Sequence, residues 1–331
     1  MTIPNTFRAF RIHNDSHGHR ALVEQIGLDD LAAGEVVVRA EYSSVNYKDA
    51  LAGSGKAPIL RQYPLVGGID VAGHVVASTD PRFREGDPVL CTGCGLSETR
   101  DGGYSDYVRL DANWAIALPT GLGLRESMIL GTAGFTAALA LLRMQENGQT
   151  PDMGPVVVTG ASGGVGMLAI DILTRAGYDA HAITGKFEQL DFLTGLGAKQ
   201  VVSRHDLHWG QRPLESPLWA GAIDNVGDEM LAGLTRVISP YGNIASCGLA
   251  GGAALATTVM PFIIRGVSLL GIASAGTGRP HRDAVWAHLA SDWKPAHLET
   301  ICTREIGLEE LPSVFNTMLS GDSFGRTLVR H

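Results

Sequence analysis

The sequence predicts an α/β fold with two parts, a β-rich domain and a domain built on a doubly wound parallel sheet. The residues up to about position 123 contain short strand-like stretches separated by Gly, Pro and Asp, a pattern typical of a barrel-like β domain. From Pro155 onward, strand candidates alternate with helix candidates. Such alternation indicates a parallel sheet covered by helices.

The stretch from Pro155 to Gly177 is the most informative part of the second domain. Its apolar, β-branched start, Val156–Thr159, predicts a buried parallel strand. Three spaced glycines follow, and then apolar residues recur at helical spacing. Glycines let a backbone approach a pyrophosphate closely, and the helix N-terminus directs free N–H groups towards it. The order strand, glycine turn, helix therefore predicts a dinucleotide site.

An alternative exists for the same residues, because positions 160–164 also fit G-x-S-x-G, the nucleophile elbow of α/β-hydrolases. The next strand distinguishes the two. It ends before Lys186, which lies twenty residues beyond Gly166. An NAD site requires an acidic residue near this point, whereas a cation suits the additional phosphate of NADP. We therefore interpret the site as one for NADPH.

The other elements follow from the same patterns. In the first part, strands are predicted at Phe7–Ile12, Leu22–Ile26, Val36–Val45, Ile69–Ser78, Pro88–Cys91, Tyr104–Leu110 and Trp114–Leu118. Leu124–Glu146 is predicted to be helical with a break near Gly131. In the second part, strands are predicted at Val156–Thr159, Asp179–Ile183, Gln200–Ser203, Ala220–Asp224, Asn243–Cys247 and Val267–Ile272, with helices at Gly164–Ala176, Phe187–Leu196, Asp228–Ile238 and Arg282–Ser291.

A final helix, Leu308–Leu319, and a strand, Arg326–Val329, are predicted to return to the first domain, because the six strands that the parallel sheet needs are already assigned. The expected domains are thus residues 1–125 with 298–331, and residues 126–297.

Composition excludes several classes of function. The chain has 331 residues and a net charge of −8, which argues against nucleic acid as a partner. No apolar run is long enough to predict a membrane span, and the first residues do not resemble a signal peptide. The four cysteines are too few and too scattered for a disulfide framework. We expect a cytoplasmic protein.

No metal site is expected. Cys91 and Cys94 form a single C-x-x-C pair without a second pair, which is more often a turn than a metal site. His205 and His208 lie in a polar connection, where solvent exposure is the simpler interpretation.

Asn46-Tyr47-Lys48-Asp49 is a better candidate for chemistry, since these four polar residues follow a predicted strand and can line a ligand cleft. A tyrosine there could donate a proton. The alternative is a helix capped by Asn46, with a solvated lysine and aspartate behind it.

Several motifs together resemble one known family. They are Ser43–Leu51, Gly67–Gly73, Gly131–Ala137, Thr159–Gly166, Trp219–Asp224, Cys247–Gly252 and Thr257–Ile263. In these segments the chain resembles the zinc-free quinone-oxidoreductase branch of the medium-chain dehydrogenase/reductase superfamily, and within it the YhdH/YhfP-type acrylyl-CoA reductases. The resemblance implies a GroES-like catalytic domain and a Rossmann-type NADPH-binding domain. The chain carries Ala273 where this family commonly has Asp, and Lys186 where it commonly has Arg.

The resemblance also implies site residues. Asn46 and Asp49 would be a catalytic pair, and Tyr47 would act in catalysis and lie against the cofactor. The implied cofactor contacts are Ser162, Gly163, Gly164 and Val165 at the pyrophosphate, Thr184, Gly185, Lys186 and Arg204 at the adenosine phosphate, and Leu249, Ile263 and Ser274 near the nicotinamide.

The implied reaction is reduction of acryloyl-CoA to propionyl-CoA, with a hydride delivered to the β-carbon and a proton to the α-carbon. The proton could come from Tyr47 or from water oriented by Asp49. Another enone or a quinone remains possible as the acceptor, and so does a non-catalytic NADPH-binding protein. We expect three arginines, at positions 265, 279 and 282, to receive an anionic CoA group, and a homodimer formed through Val267–Ile272.

Overall fold

The computed structural model describes residues 3–331 and contains two compact units. The first comprises the residues up to Thr132 together with Ala275–Asp283 and Leu298–His331. The second comprises Ala133–Ser274 and Ala284–His297. The sequence pattern places the divisions at 125/126 and 297/298, where the strand-rich region gives way to the predicted helix Leu124–Glu146 and where the chain is predicted to return to the first domain. The backbone of that helix is interrupted at Gly131 (φ 49°, ψ −154°), and the first unit extends to the residue after the interruption.

The strands of the described residues are numbered in chain order. They are β1 (Phe7–Asp15), β2 (Gly18–Ile26), β3 (Val36–Ser44), β4 (Leu65–Val66), β5 (Asp70–Ser78), β6 (Pro88–Thr92), β7 (Tyr107–Leu110), β8 (Ile116–Ala117), β9 (Val156–Thr159), β10 (Ala180–Thr184), β11 (Gln200–Ser203), β12 (Trp219–Asp224), β13 (Ile238–Ser246), β14 (Ser268–Gly271), β15 (Cys302–Ile306) and β16 (Arg326–Arg330). The helices are α1 (Tyr47–Ser54), α2 (Leu124–Glu146), α3 (Gly164–Arg175), α4 (Leu190–Gly195), α5 (Asp228–Val237), α6 (Met260–Arg265), α7 (Arg279–Leu289), α8 (Leu298–Ile301) and α9 (Leu311–Leu319).

The first unit contains two sheets. One has the order β2-β1-β4, and the other has the order β15-β16-β3-β5-β6-β8, with β7 also paired to β3. The return of the last strand to this unit is confirmed, since β16 pairs antiparallel with β3. Strand β15 is absent from the sequence-based prediction because Thr303, Arg304 and Glu305 are exposed and give no apolar alternation.

The second unit contains one six-stranded parallel sheet in the order β11-β10-β9-β12-β13-β14. The predicted doubly wound sheet is therefore confirmed. The central strand β9 is buried on both faces, and this explains why its sequence is continuously apolar. The strand order reverses between β9 and β12, and this switch point is where such sheets open a ligand crevice at the carboxyl ends of their strands.

Helix α2 is long and apolar enough to cross a membrane by length and composition alone, with a mean hydropathy of 1.4 over its most apolar window. However, 83% of that window is buried within the protein. Packing against the protein core therefore accounts for its apolar surface, as it does for the core helices of water-soluble proteins.

Candidate active site

Asn46 and Asp49 lie at the start of α1 and are bonded to each other. Asn46 occupies the N-cap position, and its backbone N–H donates to Oδ2 of Asp49 at 2.8 Å. The other carboxylate oxygen, Oδ1, accepts from the backbone N–H of Ile69 at 3.0 Å. The Asp49 residue is only 2% exposed. Asn46 therefore does cap a helix, but the interpretation of Asp49 as a solvated residue is wrong.

Asp70 is a second buried carboxylate beside this pair. It accepts hydrogen bonds from Ser44 Oγ at 2.5 Å and from Asn46 Nδ2 at 2.8 Å. Thr132 adds its backbone N–H at 2.8 Å and its hydroxyl at 2.5 Å. A Cβ atom on Gly131 would lie 2.6 Å from Oδ2 of Asp70. The lack of a side chain at Gly131 thus leaves room for the carboxylate.

Arg326 is the buried cation of the cluster. Its Nη1 donates to the carbonyl oxygen of Val45 at 3.0 Å and to Oδ1 of Asn46 at 3.2 Å, while Nε donates to the carbonyl of Ile129 at 3.0 Å. The side-chain amide of Asn46 thus donates to a carboxylate and accepts from a guanidinium. Hydrogen bonds at both ends therefore fix the orientation of this half-buried amide.

Burial and charge alter the acidity of this cluster. Burial, followed by the charge of Asp70, raises the pKa of Asp49 to about 7, although the N–H donors of Asn46 and Ile69 act in the opposite direction. Burial lowers the pKa of Arg326, while Asp70 and Asp49 oppose that shift. The carboxyl of Asp49 therefore changes from its protonated to its ionised form near neutral pH.

Tyr47 and Lys48 differ from their neighbours in accessibility. Tyr47, the first residue of α1, is 54% exposed. Lys48 forms an ion pair with Glu98, at 2.5 Å between Nζ and Oε2. Within the motif, Tyr47 is thus the residue most available to a ligand.

The glycine turn of the second unit has the geometry that its sequence predicts. Gly163 is the N-cap of α3, and Gly164 and Val165 begin that helix. A Cβ atom on Gly166 would lie 2.4 Å from the carbonyl oxygen of Gly160, so only glycine allows this close approach of helix and turn. The first residues of α3 therefore leave backbone N–H groups at the carboxyl end of β9.

The end of β10 carries the residues expected at the adenosine phosphate. Ser162 accepts a hydrogen bond from Oγ1 of Thr184 at 3.1 Å, and the backbone N–H of Lys186 donates to the same Oγ1 at 2.9 Å. Arg204 follows β11 and lies over Gly185, where an added Cβ would be 2.6 Å from its Nε. Two cations therefore lie at the carboxyl ends of neighbouring strands.

The residues expected near the nicotinamide are more dispersed. Leu249 follows β13 and Ser274 follows β14, so both lie beyond carboxyl ends of the same sheet. Ile263 instead lies on α6. Leu249 and Ile263 are 66% and 69% exposed.

The arginines expected to receive CoA are differently placed. Arg265 donates to the carbonyl oxygens of Glu215, Arg236 and Ile238. Arg282 is 2% exposed and donates to the carbonyl of Thr92 at 2.7 Å. The expectation is wrong for both, because each is held by backbone carbonyls as part of the fold.

Arg279 pairs with Asp283 at 2.6 Å.

No three His, Cys, Asp or Glu side chains form a group that could hold a metal ion in the part of the chain that the structure describes.

Sequence reasoning missed Asp70, Arg326, Ser44 and Thr132 as partners of the motif. One signal was available, since Asp70 stands between Ile69 and Val71 in an apolar strand. A charged residue there requires a buried partner. Nothing in the sequence indicates that Ser44, Asn46 and Thr132 donate hydrogen bonds to it. Nothing near Arg326 in sequence indicates that its charge lies near Asp70.

Comparisons with known proteins fit both units. A family model for the alcohol dehydrogenase GroES-like domain matches residues 32–120, and one for zinc-binding dehydrogenases matches residues 164–291. The chain is 44% identical over 326 residues to the acrylyl-CoA reductase AcuI of Ruegeria pomeroyi, covering 98% of each chain. The chain belongs to the quinone-oxidoreductase-like group of medium-chain dehydrogenase/reductases.

Solved structures agree with this assignment. The yhdH oxidoreductase of Salmonella enterica, in complex with NADP, is 44% identical and superposes with a TM-score of 0.94 over 98% of this chain and 99% of that one. The yhfP protein of Bacillus subtilis, with NAD bound, is also 44% identical, with a TM-score of 0.95 over 99% and 100% of the two chains. The predicted family and fold class are confirmed.

Proposed function

We propose that the protein reduces the conjugated double bond of acryloyl-CoA and produces propionyl-CoA, with NADPH as the reductant. The observation that carries this proposal is the similarity to an acrylyl-CoA reductase along 98% of the chain. The closest alternative is a quinone as acceptor, because another relative, 45% identical over 98% of the chain, is described as a putative quinone oxidoreductase, YhfP of Bacillus subtilis.

The second unit fits a dinucleotide phosphate. Gly166 allows the turn to approach α3 closely, so the N-terminus of that helix can receive a pyrophosphate. Lys186 and Arg204, at the ends of β10 and β11, suit the extra phosphate that distinguishes NADPH from NADH. The hydroxyl of Thr184 donates to Ser162 in the glycine turn and accepts from the backbone N–H of Lys186, so it links the turn to the end of β10.

The bound nicotinamide would supply a hydride, and the protein would supply the proton and hold the substrate. We propose Tyr47 as the proton donor to the α-carbon, because its exposed side chain ends in an O–H group. Asn46 and Asp49 have their polar atoms occupied within the buried cluster. Their proposed role is therefore to position the start of α1, and with it Tyr47, without contacting the substrate.

The experiment compares kcat/KM for acryloyl-CoA, crotonoyl-CoA and a small quinone, measured by oxidation of NADPH. We expect acryloyl-CoA to be the best acceptor by at least about tenfold, which corresponds to about 1.4 kcal/mol in transition-state stabilisation. A quinone that is the better acceptor by tenfold would overturn the proposal. NADPH binding without turnover of any acceptor would indicate a non-catalytic protein instead.

Three further properties belong to this proposal. We expect activity without a metal ion, unchanged by exhaustive chelation, because the carboxylate of Asp70 already accepts hydrogen bonds from Ser44, Asn46 and Thr132. We expect a cytoplasmic protein whose partners are small molecules, an acyl-CoA or another enone, and neither nucleic acid nor a membrane.

We also propose a homodimer formed through the edge of the parallel sheet. Strand β14 is the last strand of the six-stranded order, and Leu269 within it is 37% exposed. Ile263 and Ile264 on α6 are 69% and 61% exposed. An apolar strand at an open edge favours pairing with a second copy.

A further inference from the structure

Two cysteines lie together at the end of β6, outside the proposed active site. Cys91 is within the strand and is 0% exposed, whereas Cys94 is partly exposed in the following turn. Cys94 adopts a left-handed backbone conformation (φ 53°) between Gly93 and Gly95, which also have positive φ. Cys94 packs against the apolar cluster that contains Cys91, and each thiol alters the pKa of the other.

Cys94 also lines a cavity of about 510 Å³ in the first unit. Trp114 and residues 275–278 form part of its wall, and Arg279 and Arg282 line it as well. The cavity is therefore open to a small molecule at Cys94 and has two cations on its wall. Cys91, in contrast, packs in the apolar core behind it.

The surroundings shift the pKa values of the two thiols in opposite directions. The hydrogen bond from Cys91, followed by the charges of Arg282 and Arg279, lowers the pKa of Cys94, although burial and Asp111 oppose this. The same hydrogen bond and complete burial raise the pKa of Cys91. The thiolate is the reactive form of cysteine in thiol–disulfide exchange. Cys94 therefore reacts first, and Cys91 stays protonated until Cys94 has reacted.

We propose that Cys94 is a modification site that reacts with small anionic disulfides, and that Cys91 is its resolving thiol. In the first step, the Cys94 thiolate attacks one sulfur of the disulfide, the bond between the two external sulfurs breaks, and one external thiolate leaves. In the second step, Cys91 loses its proton and attacks Sγ of Cys94, and the second external thiolate leaves. The two cysteines are oxidised to one disulfide, and the external disulfide is reduced to two thiols.

The choice of an anionic disulfide follows from the cavity. Asp283 pairs with Arg279 and a backbone carbonyl holds Arg282, but the charges of both arginines still favour a thiolate at Cys94 and so negative charge beside it. Because Cys91 is fully buried, an external molecule reaches it only through Cys94. A mixed disulfide at Cys94 therefore precedes the internal one.

The experiment treats the full-length protein with oxidised glutathione and follows intact mass and peptide maps. We expect the parent to lose two hydrogen atoms and form the Cys91–Cys94 disulfide. Cys91→Ser should stop at one glutathione on Cys94, and Cys91→Ala repeats this test with a different replacement in the core. Cys94→Ser should lose the rapid reaction. Cys247→Ser and Cys302→Ser are matched controls and should behave like the parent.

A second comparison tests the role of charge. We expect oxidised glutathione, which is anionic, to react at least about tenfold faster than the cationic disulfide cystamine, after each rate is divided by the rate with a free small thiol. Equal normalised rates would overturn the anionic preference. Unchanged modification of Cys94→Ser, or no mixed disulfide in both Cys91 variants, would overturn the site itself.

Discussion

The guanidinium of Arg326 donates a hydrogen bond of 3.2 Å to the side chain of Asn46, although 280 residues separate the two in sequence. Arg326 lies on the last strand of the first unit, and Asn46 caps the first helix. The same arginine lies among the buried carboxylates Asp49 and Asp70, whose charges oppose the lowering of its pKa. The position of α1 therefore depends on a side chain from the far end of the described chain.

Replacing Arg326 should destabilise the protein strongly. Arg326→Leu leaves buried carboxylates without their cation, a change that typically costs about 3–5 kcal/mol. Arg326→Lys keeps the charge but loses the fixed fork of donors, and should cost less. The measurement is the free energy of unfolding in urea. The control is Arg330→Leu on the same strand, whose parent side chain is 70% exposed and which should change stability by less than about 0.5 kcal/mol. Equal losses in the Arg326 and Arg330 variants would contradict this account.

The raised pKa of Asp49 predicts a pH-dependent stability. Between its ordinary value of 3.8 and about 7, Asp49 binds its proton more in the folded state than in the unfolded state. Its contribution to stability is therefore greatest at low pH and falls as pH rises through this range. The fall is at most about 4 kcal/mol, at about 1.4 kcal/mol for each pKa unit.

The measurement compares unfolding free energies at pH 5 and pH 8. Asp49→Asn should remove most of the fall, and Asp152→Asn, at an exposed position, should leave it unchanged. Identical pH profiles for the parent and Asp49→Asn would show that this carboxyl is ionised throughout.

Lys186 should determine the preference for NADPH. A charge-assisted hydrogen bond to phosphate contributes about 1.5–3 kcal/mol, so Lys186→Ala should raise the KM for NADPH by about tenfold or more. The KM for NADH should hardly change. Lys199→Ala removes an exposed lysine elsewhere in the same unit and serves as the control. Because one relative was solved with NAD bound, both cofactors must be measured, and equal use of both by the parent would reject the assignment.

Tyr47→Phe tests the proposed proton donor. Removing a general acid usually slows the chemical step by about 10²–10⁴-fold, so kcat for acryloyl-CoA should fall by at least about 100-fold with little change in KM. Tyr241→Phe is a matched control, since Tyr241 is 76% exposed. A Tyr47→Phe enzyme with the parental kcat would exclude this role.

Leu269→Lys tests the proposed dimer. A two-fold axis at the edge strand would place two added charges near each other in an apolar interface, so the dissociation constant should rise by at least about tenfold. Light scattering over a range of protein concentrations measures it. Leu22→Lys, at a residue of similar exposure (42%) on β2, should not change it. A parent that is monomeric at micromolar concentration would contradict the proposal directly.

Much of the parallel-sheet unit could be predicted from sequence because its central strands, β9 and β12, are buried on both faces. Val156–Thr159 was predicted with the bounds that the structure has. The strand predicted at Tyr104–Leu110 begins only at Tyr107. Tyr104 continues the apolar pattern because its ring is buried in the core, but its N–H donates to Gly67 outside any regular strand. Side-chain burial and strand pairing are therefore separate properties, and a pattern of apolar residues reports only burial.

In the candidate site, too, some residue positions could be predicted from sequence and others could not. The positions of Thr184 and Lys186 at a strand end could be predicted, because they depend on local turn and strand signals. The burial of Asp49 could not, because it depends on contacts with Ile69 and, through Asn46, with Asp70 and Arg326. No local pattern in sequence specifies such long-range partners.

The contribution of β16 to the first unit has a consequence for the way the protein is made. On the ribosome, the whole of the parallel-sheet unit emerges before Arg326 does, because residues 133–274 precede it in sequence. Domains usually fold as units in the order in which they are synthesised. Here the first unit cannot complete its fold until β16, which follows the second unit in sequence, has been translated. Until then Asp49 and Asp70 lack the positive charge of Arg326. We expect a nascent chain that stalls before β16 to contain a folded second unit and an incompletely folded first unit.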